Sequence, residues 1–228
     1  MTTPFYVPPE QLVKDRAEFA RKGVSRGRPI VVLQLETGIL LIGENSSPSL
    51  RKIGEVYDRI AFAGVGRFNE FETLRVAGVR FADLKGYSYA RSDVTGKSLA
   101  NAYSQTLGQI FSHEIKPYEV DIVVAEVGED VVSDRLFRVQ FDGTLRDANG
   151  YAVLGAGEDA ISEAVGEAIS DVTTLDEAII TATRAIEQAE EREIAAAHWE
   201  TGFLDRSSDR RTFRRLSIDE VVAARGGK

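Results

Sequence analysis

The sequence predicts an α+β fold, and its pattern suggests two antiparallel sheets stacked back to back between two pairs of helices. Three observations carry this. Short apolar runs are joined by turns too tight for anything but antiparallel strands. Helical periodicities come in pairs, inserted between those runs. No linker, repeat or low-complexity stretch divides the 228 residues, and 43% of them are hydrophobic, enough for one sizeable core. Helix pairs placed between strand runs must cover the faces of the sheets. Stacking the sheets would then bury every apolar face and give a four-layer αββα sandwich.

The first element is a helix over residues 9–22, ahead of any strand. Pro9 suits its first turn, where the missing N–H would have no helical partner. Leu12, Val13, Ala17, Phe19 and Ala20 form a partial apolar stripe, and Gly23 fits a C-terminal stop. Ile30–Leu35 reads as a buried strand, and a second apolar run, 39–42, follows the turn Glu36-Thr37-Gly38. A third run covers 60–65. The first helix pair comes next. One helix carries Phe68, Phe71, Leu74, Gly78 and Phe81; the other carries Leu99, Ala102, Tyr103, Thr106, Leu107, Ile110 and Phe111 at spacings of three and four.

Strands are then predicted at 120–127, at 135–141 and from Thr144, with Asp142-Gly143 as the tight hairpin between the last two. Tyr151–Leu154 follows and ends in Gly155-Ala156-Gly157. The second helix pair has one stripe of Ala160, Ile161, Ala164, Val165, Ala168 and Ile169. Its other stripe is Leu175, Ala178, Ile179, Ala182, Ile186 and Ala189. Thr174 with Glu177 and Ser217 with Glu220 have the spacing of capping boxes. The last strands fall at 198–204 and 212–216, and a short helix, Ile218–Ala224, follows. His198, Trp199 and Glu200 are unusual residues for a core strand. The organisation is therefore one domain over 1–228, with a leading segment 1–8, the helix 9–22, a core over 28–217 and a helix and tail over 218–228.

Composition excludes several function classes. The net charge of −8 argues against a general nucleic-acid binder. With no cysteine there is no disulfide framework, no thiol nucleophile and no Cys-ligated metal site. The two histidines show no clustered ligand spacing, so neither metal nor cofactor is expected. Met1-Thr2-Thr3-Pro4 lacks the basic and apolar regions of a signal peptide, and no apolar run approaches the ~20 residues of a membrane helix. A cytoplasmic protein without membrane contact is expected. Charge is uneven: residues 1–28 hold six Lys or Arg against three acids, residues 206–215 are basic, and acids concentrate in 158–200. Solvated faces explain most of this.

Several stretches, in this order and spacing, resemble the proteasome α subunits of actinobacteria. They are Phe19-Ala20-Arg21-Lys22-Gly23, Ser49-Leu50-Arg51-Lys52-Ile53, Tyr57-Asp58-Arg59, Gly66-Arg67-Phe68-Asn69-Glu70-Phe71, Asp93-Val94-Thr95-Gly96, Ala100-Asn101-Ala102-Tyr103, Gln105-Thr106-Leu107-Gly108, Lys116-Pro117-Tyr118-Glu119-Val120 and Phe213-Arg214-Arg215. The resemblance implies the αββα sandwich and a homo-heptameric ring stacked on rings of β subunits. It implies that the helix before the first strand lies across the top of the ring. It also implies that the residues before that helix, including Thr2, Thr3, Pro4, Phe5 and Tyr6, guard the pore through which protein substrates pass. His113, Glu114 and Ile115 correspond to the inner pore loop, although the archaeal Tyr-Gly-Gly is missing there. Lys52 matches the lysine that captures the C-terminal carboxylate of a ring ATPase of the AAA+ type or another activator, an office suited to a compact ammonium charge. Gly27, Arg67 and Arg51 are its neighbours by family position. The bland alternative for Lys52 is an ion pair with Glu55 or Asp58.

The resemblance also bears on catalysis. Active β subunits use an N-terminal Thr whose own amine is the base. The matching position falls near Arg28, which is internal and carries no hydroxyl. No catalytic residue is expected. Two other readings stay open: an N-terminal-nucleophile hydrolase unmasked by processing at Thr2, Thr3 or Ser25, and a ring-forming scaffold without a protease partner.

Overall fold

Side chains along the first strand, β1 (Ile30–Leu35), alternate between two different cores, and that alternation sets the layering. Ile30 and Val32 enter a core shared by two sheets, whereas Val31 and Leu33 enter one shared with helices. This follows from the period of two along a strand. The computed structural model describes residues 8–47 and 49–226, and the leading segment lies outside them.

Strands β1, β2 (Gly38–Glu44), β8 (Tyr151–Leu154), β9 (Trp199–Asp205) and β10 (Phe213–Arg215) make one sheet in the order β10-β9-β2-β1-β8. Strands β3 (Ile53–Tyr57), β4 (Ile60–Gly66), β5 (Val120–Glu126), β6 (Arg135–Gln140) and β7 (Leu145–Ala148) make the other, in sequential order. All pairings are antiparallel. Ile30, Val32, Ile39 and Leu41 of the first sheet face Ala61, Ala63, Val65, Val123 and Ala125 of the second. Helices α4 (Glu158–Ala168) and α5 (Leu175–Ala189) cover the outside of the first sheet through Ile161, Val165, Ile179, Ala182 and Ile186. Helices α2 (Phe68–Ser88) and α3 (Gly96–His113) cover the second through Phe71, Leu74, Leu99, Tyr103 and Leu107. The four-layer αββα sandwich is thus the architecture, with α1 (Pro9–Val24) and α6 (Ile218–Ala224) added to it.

Local chemistry agrees with most of the sequence-based boundaries. The Thr174 and Ser217 side chains accept from the N–H groups of Glu177 and Glu220, and both capping boxes close. Gly143 takes φ +84° in the β6–β7 turn, a left-handed conformation that a side chain resists. Four readings need correction. Helix α1 runs through Gly23 to Val24, and a Cβ on Gly23 would come within 2.2 Å of the Glu119 carboxylate, so this glycine serves close approach and not termination. Helix α1 buries Ala20 and Val24 against Phe141, and Leu12, Val13 and Phe19 stay about half exposed. Ala82, not Phe81, completes the buried face of α2. Strand β3 is an addition: Gly54 and Glu55 interrupt its apolar pattern, and pairing with β4 supplies what the pattern lacks.

Candidate functional site

Lys52 stands directly before β3, and its place is fixed from the opposite sheet. The Glu200 carboxylate on β9 accepts from the backbone N–H of Lys52 at 3.0 Å and of Ile53 at 3.2 Å. It also accepts from the Asn45 amide at 2.6 Å and the Arg215 guanidinium at 3.0 Å. Glu200 is 3% exposed, and those four donors are what make a buried carboxylate tolerable there.

The Lys52 ammonium turns toward the start of β1. It donates to the backbone carbonyl of Arg28 at 2.8 Å and of Glu44 at 3.1 Å. Burial pushes its pKa down from 10.5 to about 8, against the pull of the Glu200 and Glu44 carboxylates. The Arg28 guanidinium lies 3.2 Å from Glu190 and 3.5 Å from Glu44, and Arg192 pairs with the same two acids. The bland ion pair does not form. Glu55 pairs with Arg211 and Asp58 with Arg91, leaving Lys52 to its two carbonyls.

Gly27 precedes Arg28 and shares this neighbourhood. A Cβ on it would meet Val65 Cγ1 at 2.3 Å and the backbone nitrogen of Gly66 at 3.1 Å. Next to Gly66 stands Arg67, whose Nε lies 3.3 Å from Glu119 and whose side chain is 58% exposed. Lys52, Gly27 and Arg67 therefore gather where β1 begins and β4 ends. Arg51 does not join them; its exposed side chain lines cavities on another side of the β2–β3 connection.

The segment after α3 is tied to α1. Arg16 donates to the carbonyls of Ile110, at 3.3 Å, and Glu114, and its guanidinium lies 5.6 Å from the Phe111 ring centre. The His113 ring meets the carbonyl of Gln109 at 3.1 Å. Ile115 is 98% exposed, an isolated apolar side chain with no cover from its own chain. Lys116 bridges Glu70 at 2.6 Å and Glu119 at 3.0 Å. Thr2, Thr3, Pro4, Phe5 and Tyr6 lie outside the described residues.

A hydrolase reading needs a hydroxyl beside Lys52. The backbone carbonyl of Arg28, inside a continuous chain, occupies that place. Ser25 donates instead to the carbonyl of Lys22 at 3.2 Å, closing the end of α1. Glu200 and the Glu44–Arg28–Arg192 cluster escaped the sequence-based reading. Their one signal was a charged residue inside an otherwise apolar strand.

A family model described as proteasome subunit matches residues 24–200, from the end of α1 into β9. The chain belongs to the proteasome subunit family. Curated relatives named proteasome subunit alpha narrow the kinship to the α type of actinobacteria. One from Kineococcus radiotolerans is 54% identical over 225 residues, covering 95% of each chain. One from Thermomonospora curvata is 51% identical over 227 residues, covering 98% of this chain and 99% of the relative. One from Acidimicrobium ferrooxidans is 50% identical over 226 residues, covering 99% and 97%. Among the described residues no helix is long and apolar enough to cross a membrane.

Proposed function

We propose that the chain is a non-catalytic α subunit of a proteasome core particle, working in the cytoplasm. Seven copies form a ring that stacks on a ring of β subunits, where peptide bonds are cut. The ring admits protein substrates through an axial pore and receives a ring ATPase or other activator on its outer face. One observation supports this above the rest: the ammonium that would tune a terminal nucleophile is spent on the carbonyl of Arg28, in a chain that continues through the catalytic position. The hydrolase alternative is disfavoured by Ser25, whose hydroxyl caps a helix.

The same lysine has a second use. A half-buried ammonium held by two carbonyls, with Gly27 and Arg67 beside it, suits capture of a terminal carboxylate. Residues 1–8 form the gate, and His113, Glu114 and Ile115 line the constriction below it. Truncating one partner of a desolvated charge pair costs on the order of 2–5 kcal/mol, mostly through faster dissociation. Lys52→Ala is therefore expected to abolish measurable activator binding while ring assembly, read by sizing, persists. Lys52→Arg should restore only part of the affinity, since a planar fork does not fit a site for a point charge. Normal activator affinity in Lys52→Ala would rule out the docking role.

A further inference from the structure

Arg67 and Lys116 are far apart in the chain, yet both reach one oxygen, Oε1 of Glu119. The Lys116 ammonium lies 3.0 Å from it and Arg67 Nε lies 3.3 Å from it. Lys116 also donates to Glu70 at 2.6 Å, and the other oxygen of Glu70 accepts from the backbone N–H of Glu119 at 2.6 Å. Both acids are well covered, with side chains 8% and 14% exposed. Two acids are thus matched by two cations, and the cations differ in their freedom. Lys116 is bound to both acids and lies 5.8 Å from the centre of the Phe19 ring on α1. Arg67 is 58% exposed and reaches Glu119 through Nε, and its Nη groups make no hydrogen bond among the described residues.

Two like charges at one oxygen oppose each other. While Arg67 stays beside Glu119, Lys116 shares that carboxylate with a competitor. Once an arriving anion draws Arg67 away, the whole charge of Glu119 is left to Lys116. Lys116 directly follows Ile115, so a firmer hold on Lys116 is a firmer hold on residues 113–115. Helix α1 rests on the same pair of side chains, with Phe19 at Lys116 and Gly23 in close approach to Glu119. The cluster therefore has two discrete arrangements, with Arg67 on Glu119 or on an outside carboxylate, and an anion binding the second shifts the balance between them.

We infer that Glu119 couples Arg67 to residues 113–116: a carboxylate that takes Arg67 tightens the grip of Lys116 and stiffens that segment. The functional meaning of this coupling rests on the reading proposed above, in which Arg67 belongs to the docking site and residues 113–115 line the pore. The coupling itself needs neither activator nor ring. Normal activator affinity in Lys52→Ala would remove the docking role and leave the coupling in place, so the two stand or fall separately.

Arg67→Gln reproduces the loss of the Arg67 charge from Glu119, and Arg67→Lys keeps a cation there. Hydrogen exchange is followed in the full chain over residues 113–119, with the amides of α5 as the internal reference for global stability. Arg67→Gln should slow exchange in the segment about twofold to fivefold, the size of a partly exposed charge interaction. Arg67→Lys should leave it near the unsubstituted rate. In a Glu119→Gln background, a near-isosteric change that removes the shared charge, adding Arg67→Gln should have no further effect. Unchanged or faster exchange in Arg67→Gln, equal slowing in Arg67→Lys, or slowing that survives in the Glu119→Gln background would overturn the inference.

Discussion

Lys52 shows how much a single residue can carry. Its pKa is about 8 in the folded chain against 10.5 when free. Between those values the unfolded chain keeps a proton that the folded chain has lost, so this group favours folding more as pH rises through that window. The proposed docking would have the opposite dependence, because only the ammonium attracts a carboxylate. Activator affinity, measured by calorimetry, should fall as pH rises beyond about 8, and the fall should vanish in Lys52→Arg. The Arg138 guanidinium carries a different load. It bonds Asp121 at 3.0 Å and Glu158 at 2.7 Å, and burial pushes the Asp121 carboxyl up to about 6 against the pull of that guanidinium. Arg138→Leu strands a buried acid and is expected to cost about 3–5 kcal/mol in chemical denaturation. Adding Asp121→Asn to it should recover part of the loss. Neither Arg138 nor Glu200 was legible as a partner in the sequence, because a lone charge in a strand does not name the residue across the sheet that answers it.

Elements were more legible where local chemistry acts alone. The capping box of α5 is written in four consecutive residues, and it forms as read. The Glu177 carboxyl is held down to about 2, first by the N–H of Thr173 and then by the neighbouring Thr hydroxyls and the N–H of Thr174. Its contribution is present above the ordinary carboxylate range and is lost as pH falls toward about 2. Thr174→Ala should cost about 1 kcal/mol, a drop of about 2–4 °C in Tm. Helix α1 was legible as a helix but not in its seating. Its apolar residues read as a stripe, yet small side chains at Ala17, Ala20 and Val24 let it approach Phe111 and Phe141, and Arg16 fastens it to the end of α3. Arg16→Ala should speed amide exchange over residues 113–116 while leaving exchange in α5 unchanged. Equal exchange in both proteins would show that the tether is not what orders the segment. Strand β3 escaped because its evidence is tertiary: five residues with a glycine and a glutamate acquire strand geometry only beside β4.

At the scale of the whole molecule, the layers follow from periods of two in strands and of three to four in helices, and every sequence-based strand run found its sheet. What the pattern did not contain was the relation between the sheets at their ends, where β1, β3 and β4 bring Arg28, Lys52 and Arg67 together from distant parts of the chain. At that meeting point the Lys52 ammonium donates to the internal backbone carbonyl of Arg28. The account therefore stands on an uncut chain that acts in a ring. Native mass spectrometry of the chain co-expressed with a β partner tests both at once. The account predicts α rings of seven copies of the 25.0 kDa chain, each retaining the residues ahead of β1, bound to β subunits. A chain shortened to a new hydroxyl terminus, or one that stays monomeric beside assembled β rings, would contradict it.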